Sequence, residues 1–160
     1  MKAVNVSVLK KELAAHSHQE LMEICLKLAK FKKENKELLT YLLFDSQDED
    51  AYIRSVNEKV NEEFTKLNHS SLYYVKKSIR KILRMIKKYI RYSKNKETEA
   101  SLLLHFCGKL KELTPRHQKS LQIHNIYERQ LNMAKKAIST LHEDLQYDFI
   151  LELEELGEKL

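Results

Sequence analysis

The feature that most restricts the fold of this chain is the near absence of residues that turn or break the backbone. Only two glycines and one proline occur among its 160 residues. Sheet-rich folds and nucleotide-binding α/β folds need glycine at their turns, whereas helices joined by short polar links do not. The sequence therefore predicts an all-α fold. Its length predicts a single domain over 1–160, which buries one core without metal or disulfide staples.

The apolar spacing is helical along nearly the whole chain, and capping residues separate the helical segments. Ser17 and Glu20 match the S-x-x-E capping box, and Thr114-Pro115 begins a new helix because proline suits a first turn. The predicted helices cover about 6–15, 17–33, 35–44, 49–67, 71–92, 97–113, 115–141 and 143–157. Links this short predict seven or eight antiparallel helices, arranged as stacked helical hairpins in a repeat-like manner or as a helical bundle.

The two cysteines and the apolar runs indicate the compartment. Cys25 shares an apolar stripe with four larger residues of its helix, which predicts a buried side chain, and we interpret Cys25 and Cys107 as reduced thiols. The N-terminus lacks an uninterrupted apolar signal core, and no run approaches the roughly 20 apolar residues of a membrane span. A cytoplasmic protein is expected.

The charge of the chain comes from one segment. The formal net charge is +6, and residues 75–96 hold ten Lys or Arg and no Asp or Glu. Without those ten, the chain has 19 basic and 23 acidic residues, which is a net charge of −4. Such asymmetry bears on partners and association rather than on fold.

On a helix of about 100° per residue, this segment separates into two faces. An apolar stripe with Ile79, Ile82 and Ile86 at its centre is expected to face the core. Tyr73 falls within the opposite arc, and Tyr74 lies beside the stripe. The cations of the opposite arc, here called the basic face, are the candidate binding residues: Lys76, Lys77, Arg80, Lys81, Arg84, Lys87, Lys88 and Arg91.

Three interpretations of the basic face stay open. It binds an acidic protein surface or the chain's own acidic helices, in 48–63 and 143–158. Alternatively, aligned cations with nearby tyrosines bind nucleic acid. Contact with an anionic membrane is disfavoured, because the core needs the apolar stripe that would insert. The sequence favours a protein–protein interaction module that uses the basic face, with nucleic-acid binding as the alternative.

Motifs for catalysis or metal binding are weak. Residues 45–56 do not match a calcium loop, because the sixth position is Asp50 instead of glycine and the twelfth is Val56 instead of glutamate. His124 and Glu128 lie four residues apart, which is typical of a surface pair. His105 and Cys107, two apart on a helix, point to different sides. No phosphate-binding glycine loop or nucleophile elbow occurs. We therefore expect no enzyme activity, no cofactor and no metal.

The order of segments resembles an uncharacterised bacterial family known only as a domain of unknown function. The resemblance is carried by LKKEL at the start, HSHQELMEICLKL, DSQDEDAYIRSVNEKVNEEF, the basic helix and LLLHFCGKL. It covers most of the chain and implies an all-helical fold. It implies no activity, and no functional residue is carried over from it.

Overall fold

A computed structural model describes residues 2–160, which form nine α-helices and one short 3-10 segment, with no strand in that range. The all-α prediction is confirmed. The helices are α1 Val6–Ala14, α2 His18–Phe31, α3 Lys33–Leu43, α4 Glu49–Thr65, α5 Leu72–Ser93, α6 Lys96–Lys111, α7 Pro115–Gln118, α8 Leu121–Ile138 and α9 Glu143–Glu155. No helix of the described chain is long and apolar enough to cross a membrane.

The predicted helix over 115–141 is two helices in the structure. The backbone is extended at Ser120, with φ −70° and ψ 116°, and α8 begins at the next residue. The side chain of Gln118 donates a hydrogen bond to the Leu113 carbonyl at 2.6 Å, which ties α7 back to the end of the preceding segment. With this break, residues 2–160 form nine helices where seven or eight were expected. The antiparallel arrangement stays a prediction.

The chain divides into two compact units, and the first ends at Phe44. Within it, α2 packs against α3. The prediction that Cys25 is buried is wrong, since Cys25 is exposed. Leu28 and Phe31 of the same stripe are 55% and 77% exposed. The reason is that a pair of helices covers only a narrow strip of each partner. The single-domain interpretation of 1–160 stays a prediction.

The second unit, Asp45–Leu160, is built around α6. This helix packs against α4, α5, α8 and α9. Its buried residues include Leu102, Leu103, Leu104 and Phe106, which point in different directions around the helix. A helix that is apolar on all sides must lie inside its fold. The other helices of this unit therefore turn one face to α6 and leave the other to solvent.

The two faces of α5 have the predicted orientation. Val75, Ile79, Ile82 and Ile86 are at most 1% exposed, so the apolar stripe lies in the core. Ser71 caps the start of the helix by accepting from the Tyr74 amide at 3.4 Å. Because the stripe is held inward over three turns, the cations of the basic face are turned outward.

Replacing Ile82 by alanine tests this orientation. Ile82 is 1% exposed. Its truncation removes buried methylenes, so Ile82→Ala should lower the free energy of unfolding by roughly 2–5 kcal/mol in urea titrations. The exposed Arg84 lies on the opposite face of the same helix, and Arg84→Ala should change that free energy little. Similar losses from both variants would contradict the orientation of α5.

Candidate functional site

All eight predicted residues of the basic face lie on α5. Their exposure differs along the helix. Lys76, Lys87 and Lys88 are half-buried. The exposed members are Lys77, Arg80, Lys81, Arg84 and Arg91. The structure thus shows the face largely open to solvent.

Two members of the basic face have partners within the chain. Lys81 donates to the Glu63 carboxylate of α4 at 3.0 Å, and this hydrogen bond is the main reason that the pKa of Glu63 lies below its usual range. The Lys88 ammonium lies 4.9 Å from the centre of the Tyr89 ring. The side chains of the remaining six form no ion pair or hydrogen bond to any part of the chain that the structure describes: Lys76, Lys77, Arg80, Arg84, Lys87 and Arg91.

Four of these unpaired cations line a groove of about 550 Å³ between α5 and α8. Arg129 of α8 adds a fifth cation from the opposite side. Half-buried Leu83 and Ile126 also line it and supply an apolar floor. We call it the cationic groove; its lining is Tyr73, Lys77, Arg80, Leu83, Arg84, Lys87, Ile126, Arg129 and Gln130.

Gln130 is the one lining residue of the cationic groove that is fully buried, at 1% exposure. Its side-chain nitrogen donates to the Ile126 carbonyl at 3.4 Å. Its Oε1 is buried and has no hydrogen-bond partner among residues 2–160. A buried acceptor without a donor costs about 1–3 kcal/mol. The wall of the groove therefore contains an unsatisfied acceptor that is closed to solvent in this structure.

The acidic C-terminal helix does not close this groove in the structure. Helix α9 packs against α6 and α8 through Phe149 and Leu153. At its end, Glu158 pairs with Lys111 of α6 at 3.6 Å and accepts from the Tyr127 hydroxyl at 2.8 Å. The carboxylate that reaches the basic face through Lys81 comes from α4 instead.

The tyrosines beside the basic face belong to two groups. Tyr89 is half-buried and packs edge-on against Tyr52 and the buried Tyr92, with ring centres about 6 Å apart. Tyr73 and Tyr74 are 65% and 47% exposed. Only the second group can offer rings to a ligand.

The other residues weighed in the sequence have structural surroundings. His124 and Glu128 form an exposed pair at 4.0 Å. The His105 ring nitrogen lies 2.8 Å from the Asn61 side-chain oxygen. Burial raises the pKa of the Cys107 thiol to about 12, with Glu158 adding to the shift. A thiol so strongly protonated is no nucleophile at neutral pH. Among the described residues, no three His, Cys, Asp or Glu side chains are grouped to hold a metal.

Comparison with known proteins adds no family to this picture. No protein-family model, no curated protein and no solved structure matches the chain. The resemblance to an uncharacterised bacterial family stays a prediction.

Sequence reasoning missed the α8 side of the groove. Arg129 carries no pattern of its own, and its place beside α5 depends on tertiary packing. Gln130 had a usable signal, because it lies three residues after the buried Tyr127 and directly before the buried Leu131. A polar residue at the edge of a core stripe is a candidate for a buried polar contact.

The two thiols should differ in reactivity. Cys25 is exposed, whereas Cys107 is buried with a pKa raised to about 12. Iodoacetamide added to the native protein at mildly alkaline pH should therefore modify Cys25 and leave Cys107 unmodified until a denaturant is added. Peptide mass spectrometry gives the extent at each site. Equal labelling of both thiols in the native protein would contradict the packing of α6.

The contact between Lys81 and Glu63 should be visible in the acid range. The pKa of Glu63 is lowered from 4.5, mainly by the hydrogen bond from Lys81. A carboxylate whose pKa is lower in the folded than in the unfolded chain stabilises the fold at pH values above its unfolded-state pKa. This stabilisation is lost as the pH falls through its folded-state pKa. Lys81→Met should raise the pKa of Glu63, measured by carboxyl NMR, and remove at most about 1 kcal/mol at neutral pH.

The matched control is Arg80→Met. Arg80 is exposed, and the structure gives it no carboxylate partner within residues 2–160. This variant should leave the Glu63 titration in place. An unchanged Glu63 titration in Lys81→Met would show that the pair is absent in solution.

Proposed function

We propose that this chain is a non-enzymatic protein–protein interaction module that holds an acidic helical surface in the cationic groove. One observation carries the proposal: five cations from α5 and α8 surround a groove that also has an apolar floor and a buried, unpaired acceptor. A helix lying in a groove presents anchors from one face, so it meets floor and walls together. A reducing compartment such as the cytoplasm is part of the proposal, since both cysteines are free thiols.

The lining of the groove favours a protein over a bare phosphate backbone. Phosphate oxygens pair with cations but are only hydrogen-bond acceptors, so they leave the Gln130 Oε1 unsatisfied. They also leave the apolar floor exposed to water. An acidic helix brings carboxylates for the walls, apolar side chains for Leu83 and Ile126, and a hydroxyl or amide donor for Gln130. All three groups of lining residues then find complementary chemistry.

The charges and the floor contribute differently to binding. Exposed cations speed the encounter with an acidic surface and fix its orientation. Affinity comes mainly from apolar side chains buried near the middle of the contact, where water is excluded. Leu83 and Ile126 are the lining residues placed for that role.

Nucleic acid is the second candidate, because the exposed Tyr73 and Tyr74 lie beside the cations, their ring centres 5.4 Å apart. Proteins that bind single strands combine cations along the backbone with aromatic rings on which bases stack. Tyr73 also lines the cationic groove. This arrangement supports a single strand rather than a duplex.

Three labelled polymers distinguish the candidates: poly-L-glutamate, a glutamate–tyrosine copolymer and a mixed-sequence single-stranded DNA. Fluorescence anisotropy at low salt should show that the copolymer binds most tightly, because tyrosine adds an apolar ring and a hydroxyl donor. The variant Lys77→Glu/Arg84→Glu/Arg129→Glu should lose this binding. The variant Lys10→Glu/Lys11→Glu/Lys27→Glu, with the same change in net charge at exposed sites of α1 and α2, should keep it.

Preference for DNA reverses the ranking of the two candidates. Five phosphate contacts to a single strand predict a slope of about −3.5 for the logarithm of the binding constant against the logarithm of salt concentration. DNA binding with such a slope, without copolymer binding, would favour nucleic acid. Failure of all three polymers to bind would show both candidates to be wrong.

A further inference from the structure

The outer face of α9 combines acidic and apolar side chains. Tyr147 and Leu151 are 63% and 45% exposed and lie one turn apart. Carboxylates lie on both sides of them. We call this surface the acidic face; its members are Glu143, Asp144, Tyr147, Asp148, Leu151, Glu152, Glu154 and Glu155, all exposed.

Most of the acidic face is directed away from the core of its own chain, whereas Glu152 and Glu155 line a cavity that α9 forms with α4 and α6. Phe149 and Leu153, on the opposite side of α9, are buried. They fix the helix against α6 and α8. Because Tyr147 and Leu151 are exposed in this arrangement, the acidic face does not occupy the groove of its own chain. It is free to meet another molecule.

Among the carboxylates of α9, Asp144 lies 3.5 Å from a ring nitrogen of His142, and the others have no cationic partner within residues 2–160. Partial burial raises the pKa of Glu152, and the nearby Glu155 and Asp148 raise it further. The part of this shift in the pKa of Glu152 that comes from Glu155 and Asp148 is like-charge repulsion. A row of cations placed against them relieves that repulsion.

We infer that the acidic face of one copy of this chain docks into the cationic groove of a second copy. Tyr147 and Leu151 then pack on Leu83 and Ile126, while the carboxylates of α9 meet the cations of the groove. The inference rests on the proposed function, since it names the acidic helix that the groove holds. The two surfaces differ, so the copies join head to tail.

The two charged rows match in length. From Lys77 to Lys87 the cations of the groove span ten residues of α5, which is about 15 Å along the axis. From Asp144 to Glu155 the carboxylates span eleven residues of α9, or about 16 Å. Each row lies beside a pair of apolar side chains, so charges and apolar anchors can meet in one register.

The Tyr147 hydroxyl supplies the donor that Gln130 lacks. Tyr147 is exposed, and in the docked pair its O–H points into the groove where the Gln130 Oε1 has no partner. Because that oxygen is closed to solvent, the contact requires the atoms that cover it to move when the two copies dock.

Two charge-reversed variants test the contact in the full-length chain. The groove variant is Lys77→Glu/Arg84→Glu/Arg129→Glu, and the α9 variant is Asp144→Lys/Asp148→Lys/Glu155→Lys. Sedimentation equilibrium from micromolar to millimolar protein should show salt-sensitive association of the wild type. The association constant of each variant alone should be about a hundredfold lower than that of the wild type. Mixing them should restore a complex, because one keeps the native acidic face and the other keeps the native groove.

A monomeric wild type at every concentration would overturn this inference. If that monomer still binds the glutamate–tyrosine copolymer, the proposed function stands and its partner is another protein. If that monomer binds none of the polymers, both the contact between copies and the proposed function are wrong. Association that persists in both variants alone, or that the Lys10/Lys11/Lys27 reversal removes, would also contradict the contact.

The hydroxyl contact has a test of its own. Tyr147→Phe removes one hydrogen bond and should weaken association roughly fivefold. Gln130→Met removes the acceptor at similar length, and in that background Tyr147→Phe should have no further effect. Independent effects of the two changes would show that Tyr147 does not reach Gln130. Circular dichroism of each variant checks that the helices are retained.

Discussion

The proposed binding surface of this protein depends on the burial of one side of α5. Four apolar residues of that helix are buried to within 1% of their surface. They leave the cations no direction except outward. Burying an unpaired charge costs far more than leaving it in water. The core stripe and the basic face are therefore two consequences of one helix orientation.

The cations of α5 and the carboxylates of α9 are not paired with one another in the structure. One carboxylate of α4 reaches the basic face at Lys81, while the acidic face of α9 turns outward elsewhere. Surface ion pairs contribute at most about 1 kcal/mol each, so the fold gains little by bringing these surfaces together. The packing of apolar residues on α6 sets the position of α4, α5, α8 and α9, and with it the positions of their charged side chains. The result is two complementary surfaces that do not meet within one chain.

The sequence predicted what depends on periodicity within one helix. The all-α class follows from the scarcity of glycine and proline, and the buried stripe of α5 follows from the 3.6-residue repeat. The sequence could not supply Arg129 or Gln130, which reach the groove through the placement of α8 beside α5. Cys25 was mispredicted for a related reason: an apolar stripe shows which side of a helix seeks cover, but not how much cover its neighbours provide. The break at Ser120 depends on local backbone geometry that the stripe across 115–141 does not record.

Gln130 is the residue that supports the proposal of a binding surface at the groove. A leucine at this position would fill similar volume without an orphan acceptor, whereas the glutamine leaves Oε1 unsatisfied at a cost of about 1–3 kcal/mol. The repulsion that Glu155 and Asp148 exert on Glu152 is a further source of unfavourable free energy in the isolated chain. A single contact that brings a donor to Gln130 and carboxylates to the cations relieves these together. In the proposed contact, satisfying Gln130 and reducing the repulsion at Glu152 would both favour association.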